Sequence, residues 1–376
     1  MPLAVETKSR SQPNTWLEIR LSRLRHNLRT IKAAAPHSEV IAVVKANAYG
    51  HGLLEIAHAL TGQVSYFGVS SLREALILRG HEIGTPVLIF GRLLSDELPL
   101  ALTEGITLSV SSLEEAREIS SISNSLGHKT PIHIKVDTGM GRLGIPLRQA
   151  LSDIEAINKL EGLVLEGLYT HFPTAEKDDG FTQYQLQGFS LLIETLSKKG
   201  ITFRYRHASN SAGILKADQS ILNMIRPGLM LYGIYPDASL ANLANITPIL
   251  TLKSRLILVK ILKAGESTGY GRDFIAQELT HIGILPIGYS HGYPFTASNR
   301  AYVLLRGQKY PVAGRISMDY LTVNFGNTAA RIGEEVTLIG TEKEQNVRAE
   351  DLASWAGTIP YEIVTRFIPS LPRFYT

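Results

Sequence analysis

The sequence predicts an α/β protein, an N-terminal (β/α)8 TIM-type barrel followed by a C-terminal domain built mostly of β-strands. Three observations carry that expectation. The 376 residues exceed what one hydrophobic core ordinarily supports, unless that core is a barrel with an appendage. Through roughly residue 235, short apolar runs alternate with stretches of helical period, as a parallel α/β domain requires. After about Ala244 the helical period nearly vanishes and strand-like alternation replaces it.

Taken in order, eight runs read as barrel strands: Val40–Val44, Tyr66–Val69, Pro86–Phe90, Thr107–Val110, Ile132–Val136, Val164–Tyr169, Phe203–His207 and Met224–Arg226. Helical patterns lie between them at Ser70–Arg79, Ser111–Leu126 and Phe181–Lys199, the last following an Asp179-Gly180 break. Eight βα units favour a closed barrel over an open sheet. The second domain shows strand patterns at Leu250–Val259, His281–Ile287, Ala301–Leu305, Tyr320–Asn324 and Glu335–Leu338, then a helix over Arg348–Ala356. The division falls at residues 21–244 for the barrel and 245–376 for the β domain. An early strand, residues 15–20, precedes any barrel strand and is free to join the later sheet. No internal repeat or low-complexity segment is present.

Composition is that of an ordinary soluble enzyme, 44% hydrophobic and 19% charged with a formal net charge of +4. No basic run or basic stripe interleaved with aromatics occurs, so nucleic-acid binding is not expected. The absence of cysteine excludes disulfides and thiolate metal sites, and no metal is expected. The segment Met1–Pro13 is polar and lacks the apolar core of a signal peptide, and no apolar run approaches bilayer length. A cytoplasmic protein that does not enter membranes is the simplest expectation.

The most informative stretch is Ile41-Ala-Val-Val-Lys45-Ala-Asn-Ala-Tyr49-Gly-His-Gly52. A lysine closing an apolar strand is desolvated, which lowers its pKa and frees the amine to act as nucleophile, base or anchor for an aldehyde cofactor. A lysine at a strand end more often snorkels to water. Tyr49, Gly50 and Gly52 shift the balance, because glycines let backbone approach a bulky anion and a tyrosine donates to it. Lys45, Asp137, His171, Asn210 and Arg226 all stand where expected strands end, the face of a barrel that carries chemistry.

One motif points elsewhere. Gly139-Met-Gly141-Arg-Leu-Gly144 follows a strand and fits the dinucleotide fingerprint, with Glu161 near the spacing of a ribose-binding acid. Pro146 would then fall inside the helix, at a cost of about 3 kcal/mol, and Arg142 would push a bulky side chain into the phosphate turn. A nucleotide-binding oxidoreductase is therefore disfavoured.

Taken together, Val43-Val-Lys45-Ala-Asn-Ala-Tyr49-Gly-His-Gly52, Lys135-Val-Asp-Thr-Gly-Met-Gly-Arg142, Asn223-Met-Ile-Arg226-Pro-Gly228, Ser267-Thr-Gly-Tyr270-Gly-Arg272, Gly288-Tyr-Ser-His-Gly-Tyr293, Gly314-Arg-Ile-Ser-Met-Asp319 and Ile359-Pro-Tyr361-Glu-Ile363 resemble the motifs of the alanine racemases, fold-type III enzymes dependent on pyridoxal 5'-phosphate (PLP). The resemblance runs nearly end to end. It implies that Lys45 carries PLP, that Arg226 faces the pyridine nitrogen, and that Tyr49, Ser211, Gly228, Leu229 and Tyr361 cradle the phosphate. Asn210 stands beside this cradle, and His171 matches the histidine that bonds toward the arginine of the site. An arginine does not readily release a proton, so the ring nitrogen opposite it stays unprotonated and the ring is a weaker electron sink. Arg142 and Met318 correspond to the groups that hold the substrate carboxylate, and Lys135 to a lysine often carbamylated. A carbamate would replace a cation beside Arg142 with an anion able to orient it.

Racemisation needs proton removal on one face of Cα and delivery on the other, so two opposed bases are the economical solution. Lys45 is one, and Tyr270, flanked by glycines, matches the second. A phenol with pKa near 10 needs roughly 4 kcal/mol of phenolate stabilisation to titrate near 7, which Arg142 or a protonated His171 is expected to supply. The resemblance places Tyr270 and Met318 in the partner subunit's site, hence a homodimer with shared active sites, and lines the access path with Glu176, Tyr289, Arg315, Asp319 and Tyr361. It also implies a role in supplying D-alanine for cell-wall peptidoglycan. Two positions depart from the pattern: His291 replaces a usual aspartate, and Ser317 a frequent cysteine. The alternatives are a broader amino-acid racemase acting on serine, and a PLP-binding protein without catalysis. The latter would lack the second domain. A fold-type III decarboxylase would need a second-domain cysteine that this chain does not have.

Overall fold

The computed structural model describes residues 13–376, so the expectation that no targeting signal occupies the N-terminus falls almost wholly outside the described residues. Two compact units are present: one spans residues 20–249, and the other combines the N-terminal strand with residues 250–376. Among the described residues no helix is long and apolar enough to cross a membrane.

The first strand of the chain, β1 (Thr15–Ile19), belongs to the second unit. The first unit is a closed parallel barrel of β2 (Glu39–Val43), β3 (Tyr66–Val69), β4 (Val87–Ile89), β5 (Thr107–Val110), β6 (Thr130–Asp137), and, after a two-residue strand β7 (Ile145–Pro146), β8 (Leu163–Tyr169), β9 (Tyr205–His207) and β10 (Met224–Ile225). Pairing runs from β2 through β6 to β8, β9 and β10, and β10 returns to β2. With β5 pairing β6, the ring has eight strands and no open edge, as the sequence predicts. Parallel strands covered by helices are buried on both faces, which is why β3 and β4 read as apolar runs and why even the Thr107 and Ser109 of β5 are buried. The barrel interior is filled by Ile41, Tyr66, Leu88, Tyr205 and Met224, with Phe90 packed against them.

Helices begin where a side chain can accept an orphan amide: Ser71 from Glu74, Ser112 from Glu115, and Asp178 from Phe181. Each such cap contributes about 1 kcal/mol. The expected strand Phe203–His207 is shorter, because side chains take its first carbonyls: Arg206 Nη1 donates to Phe203 O at 3.3 Å and Asn223 Nδ2 to Arg204 O at 2.7 Å.

In the second unit the expected single strand Leu250–Val259 is two strands, β11 (Leu250–Arg255) and β12 (Leu258–Leu262). The chain changes sheets at Leu256-Ile257, whose amides donate to Glu334 O and Ile284 O. The remaining strands are β13 (Ser267–Thr268), β14 (Phe274–Ile275), β15 (Thr280–Leu285), β16 (Tyr302–Leu305), β17 (Gln308–Pro311), β18 (Leu321–Gly326), β19 (Glu335–Glu342), β20 (Gln345–Val347) and β21 (Arg373–Tyr375). The main sheet has the order β17-β16-β19-β11-β1-β21, so β1 lies inside it, antiparallel to β11 and parallel to β21. A three-stranded sheet, β12-β15-β18, accompanies it. Helices Ala349–Ala356 and Pro360–Thr365 close the chain's only sustained helical stretch among the described residues of this unit.

Candidate active site

The barrel strands end on the residues that the sequence singles out. Lys45 follows β2, Asp137 ends β6, His171 follows β8, Asn210 follows β9, and Arg226 follows β10. Beyond Lys45 the backbone turns through an unusual left-handed segment, with φ of 54°, 55°, 51° and 54° at Ala46, Asn47, Ala48 and Tyr49. Each such residue costs about 1–2 kcal/mol relative to a right-handed turn. The neighbours hold it in place. Glu74 Oε1 accepts from the Ala46 amide at 2.6 Å, Asn47 Oδ1 accepts from the Leu53 amide at 2.9 Å, and Tyr232 Oη donates to Val43 O at 2.8 Å. The Tyr49 and Tyr232 rings lie 5.0 Å apart. Stored strain of this kind fixes both ends of the motif, the Lys45 amine and the Tyr49 phenol, relative to the barrel.

The Lys45 amine is held below the usual lysine range by burial and then by the Arg142 charge, with Glu74 opposing. Lys135, on β6, is pushed down to about 8 by burial and by Arg142 and Arg226. Arg226 is only 5% exposed, and burial brings its guanidinium down to about 10, which leaves it cationic at neutral pH. Its Nη2 donates to Thr170 O at 2.7 Å and Ala208 O at 2.8 Å and faces His171 Nδ1 at 3.2 Å, while Nη1 donates to His207 Nδ1 at 2.6 Å. His171 lies well below the ordinary histidine range because of burial and the charges of Arg226, Lys135, Arg142 and Lys45. That corrects one expectation: a protonated His171 cannot be the cation that stabilises a phenolate, since four positive neighbours oppose its second proton.

Behind this group lies a small polar cradle. Asn210 caps the helix Ser211–Lys216 by accepting from the Gly213 amide at 3.0 Å, and donates to Phe172 O at 3.1 Å. The Ser211 hydroxyl accepts from the amides of Gly228 and Met230 at 3.2 and 3.3 Å. Leu229 begins the one-turn helix Leu229–Tyr232 between them. A Cβ at Gly228 would stand 2.6 Å from Tyr49 Oη, so glycine is required for the phenol to reach this loop. The Tyr49 phenol, the Ser211 hydroxyl and the Gly228 loop thus lie together as a small polar group, a setting that suits a small anion.

The glycine run is not a dinucleotide turn. The Gly139 and Gly141 amides donate to Asp137 Oδ1 at 2.9 and 3.1 Å, so a carboxylate already occupies the turn, and the next helix begins only at Leu147, after Pro146. Arg142 is exposed in this loop, close enough to Lys45, Lys135 and His171 to depress all three. Glu176 lies in the loop after β8, its carbonyl accepting from Lys216 Nζ at 3.3 Å.

The second unit holds the other predicted residues in two neighbouring turns. Tyr270 sits at the tip of the β13–β14 hairpin, 73% exposed, between Gly269 and Gly271, which adopt φ of 79° and 71°. Arg315 Nε donates to Asp273 Oδ2 at 2.5 Å beside the same tip, and a Cβ on Gly271 would meet both partners. In the other turn, the Tyr289 and Ser290 amides donate to Ser317 O and Met318 O at 3.1 and 3.0 Å. Ser290 Oγ also donates to Asp319 Oδ1 at 3.1 Å, and His291 Nδ1 accepts from the Gly288 amide at 3.3 Å. Met318 is 54% exposed. Tyr361 lies in the helix Pro360–Thr365.

Sequence reasoning missed Glu74, Asn47, Tyr232 and His207. His207 had a legible signal, a histidine inside an expected barrel strand. Glu74 had none, since a glutamate in the first turn of a helix is common on any soluble protein.

Comparison with known proteins agrees with this arrangement. The alanine racemase N-terminal domain family matches residues 19–236, and the alanine racemase C-terminal domain family matches residues 249–375. The alanine racemase of Desulforamulus reducens is 38% identical over 96% of this chain and 98% of that protein. That of Carboxydothermus hydrogenoformans is 39% identical over 96% and 99%. Among solved structures, alanine racemase from D-cycloserine-producing Streptomyces lavendulae superposes with a TM-score of 0.92 at 32% identity, covering 97% of this chain and 98% of that one. The Clostridium difficile 630 alanine racemase gives 0.92 at 34% identity over 97% and 96%. With both domain families matched along almost its whole length, the chain belongs to the alanine racemase family, which are isomerases.

Proposed function

We propose that this protein interconverts L- and D-alanine with pyridoxal 5'-phosphate, using Lys45 and Tyr270 as bases on opposite faces of the substrate Cα. The observation that carries the reading is the Lys45 motif itself: an amine held below the usual lysine range by burial, on a strained left-handed turn whose other end, Tyr49, meets the Ser211 and Gly228 cradle. The residues present fit the cofactor. The Tyr49 phenol and the Ser211 hydroxyl lie beside the Gly228 loop, Gly228 leaves the space a Cβ would fill, and a lowered pKa favours the unprotonated amine that reacts with an aldehyde. When bound, PLP supplies an aldehyde for Lys45 and an electron-withdrawing ring that acidifies the substrate Cα proton.

Arg226 stays charged and is fixed by four acceptors, so it meets the ring nitrogen as a donor that does not surrender its proton. Lys45 Nζ takes and returns the proton on one face. Tyr270 Oη does so on the other, and the Met318 amide with Arg142 orients the substrate carboxylate. Arg142, not His171, is the cation available to favour the phenolate. Lys135 is neutral in about a tenth of molecules at pH 7 given its value near 8, which is enough to react with carbon dioxide. The carbamate so formed would pair with Arg142 and remove the crowding of like charge. Tyr270 and Met318 are open to solvent, whereas a base and a carboxylate-binding amide need cover; a second copy of the chain is the proposed cover, in a homodimer with shared sites.

Chiral analysis of L- and D-alanine, incubated separately with the PLP-loaded protein beside serine, tests the reading. Convergence of both alanine samples to an equal mixture is expected, and serine is expected to convert more slowly. Loaded protein that leaves alanine unchanged would overturn it. Soluble, cytoplasmic supply of D-alanine for peptidoglycan is the role that fits this activity.

A further inference from the structure

Among the described residues no carboxylate bonds the buried Arg226; its acceptors are two backbone carbonyls and two imidazoles. One of those imidazoles leads elsewhere. His207 Nε2 stands 2.8 Å from His133 Nδ1, and His133 Nε2 stands 3.5 Å from Glu166 Oε2. Glu166 Oε2 also accepts from Tyr66 Oη at 2.5 Å. Both histidines are completely buried in the barrel, and the Glu166 side chain is 16% exposed.

The donors and acceptors in this row admit one arrangement of protons. A guanidinium only donates, so His207 Nδ1 must offer its lone pair and its proton must sit on Nε2. His207 Nε2–H then donates to His133 Nδ1, which places the His133 proton on Nε2, pointing at Glu166. Both rings are therefore neutral, and the row ends on an anion. Burial and the Arg226 charge hold both histidines below their ordinary range; burial raises the Glu166 carboxyl, but His133, the Tyr66 bond and Arg204, whose Nη1 stands 3.9 Å from Glu166 Oε1, together keep it below its own. The alignment is built in by packing. Tyr169 stacks on His207 at 4.7 Å with an interplanar angle of 4°. A Cβ at Gly167 would lie 2.4 Å from His133 Nδ1, so the ring lies flat on the glycine beside Glu166.

We infer that Glu166 is the remote counter-charge of Arg226, and that His133 and His207 are positioning residues transmitting it through the His133–His207 and His207–Arg226 hydrogen bonds and a 3.5 Å electrostatic contact between His133 and Glu166 that is longer than a formed hydrogen bond. A carboxylate at the far end makes His207 Nδ1 a stronger acceptor than a lone imidazole. That acceptor holds the guanidinium in one orientation and tempers its donation to whatever faces it. The catalytic consequence rests on the proposed role of Arg226 opposite the cofactor ring; the row of bonds does not.

The test is imidazole NMR on PLP-loaded protein labelled with ¹⁵N-histidine, with His207 assigned through its stacking on Tyr169. Neutral Nε2–H tautomers are expected for both His133 and His207, with both N–H protons downfield and protected from exchange. In Glu166→Gln both protons should move upfield, including the His207 proton that never touches Glu166, and kcat should fall about tenfold with KM nearly unchanged. A purely structural glutamate would shift the His133 proton alone, which would overturn the inference. So would a His207 proton on Nδ1, or a doubly protonated ring, in the unmodified protein, a result that needs no variant to fold. Tyr66→Phe, which keeps the carboxylate, should preserve both tautomers; loss of either would likewise refute the row. If the protons respond as expected while alanine is not racemised, the relay stands and the functional reading falls.

Discussion

The two proposed bases occupy opposite physical settings. Lys45 is embedded, its amine desolvated and set between the charges of Arg142 and Glu74, at the end of a turn that neighbours hold in a strained form. Tyr270 stands on a two-glycine hairpin tip with most of its surface in water. The barrel thus prepares its base inside a single chain, whereas the hairpin presents a base whose environment must be completed from outside. Closed barrels can organise charge because water is already excluded; an exposed tip can only present a side chain.

Replacing the embedded base should have the largest effect. Lys45→Ala is expected to lose the cofactor's protein-bound visible absorbance and to reduce kcat by at least about 10⁴-fold. Full turnover in that variant would end the comparison. Tyr270→Phe should bind PLP normally but lose about 10²–10⁴-fold in racemisation. Loss of Cα hydrogen exchange should be most severe for the L isomer, and equal exchange of both isomers at the normal rate would show that one base suffices. Mixing the two inactive variants sharpens the point, because hybrid dimers at equal ratio should recover about a quarter of the original activity. Failure to recover despite proven subunit exchange would place both bases in one chain.

Smaller effects probe the surroundings. Gly228→Ala should weaken PLP binding about tenfold or more through the clash with Tyr49, read by cofactor titration. Lys135 releases its proton near 8 when folded and near 10.5 when unfolded, so the unfolded chain binds more protons between those values and stability should rise with pH across that window. Denaturant titration at both ends of the window checks this, with Lys135→Met flattening the rise. A carbamylated Lys135 would have no amine to titrate, and peptide mass spectrometry without acid would show one added carbon dioxide. His291→Asp, restoring the family's usual residue at an exposed turn, should change KM by no more than about threefold.

The comparison also explains what was readable in advance. Barrel strands were legible because a strand buried on both faces is mostly apolar or small, and Tyr66–Val69 and Thr107–Val110 fall where the sequence places them. The break at Leu256-Ile257 was not, because which sheet a strand joins depends on distant carbonyls at Glu334 and Ile284. Lys45, Arg226 and Tyr270 were recognisable from local motifs. Glu74, His207 and Glu166 were not assigned, since each acts through a partner 19 or more residues away.

By itself the sequence determined the alternation of elements and the family to which the chain belongs, and it nominated the proposed reactive groups, because apolar period and motif spacing are local properties of the chain. Only the tertiary structure decided the charge states and proton positions. His171 is held well below the ordinary histidine range because folding buries it among cations, and the two barrel histidines are oriented because closure sets them between a buried guanidinium and a carboxylate. Electrostatic environment is a sum over groups that only folding brings together.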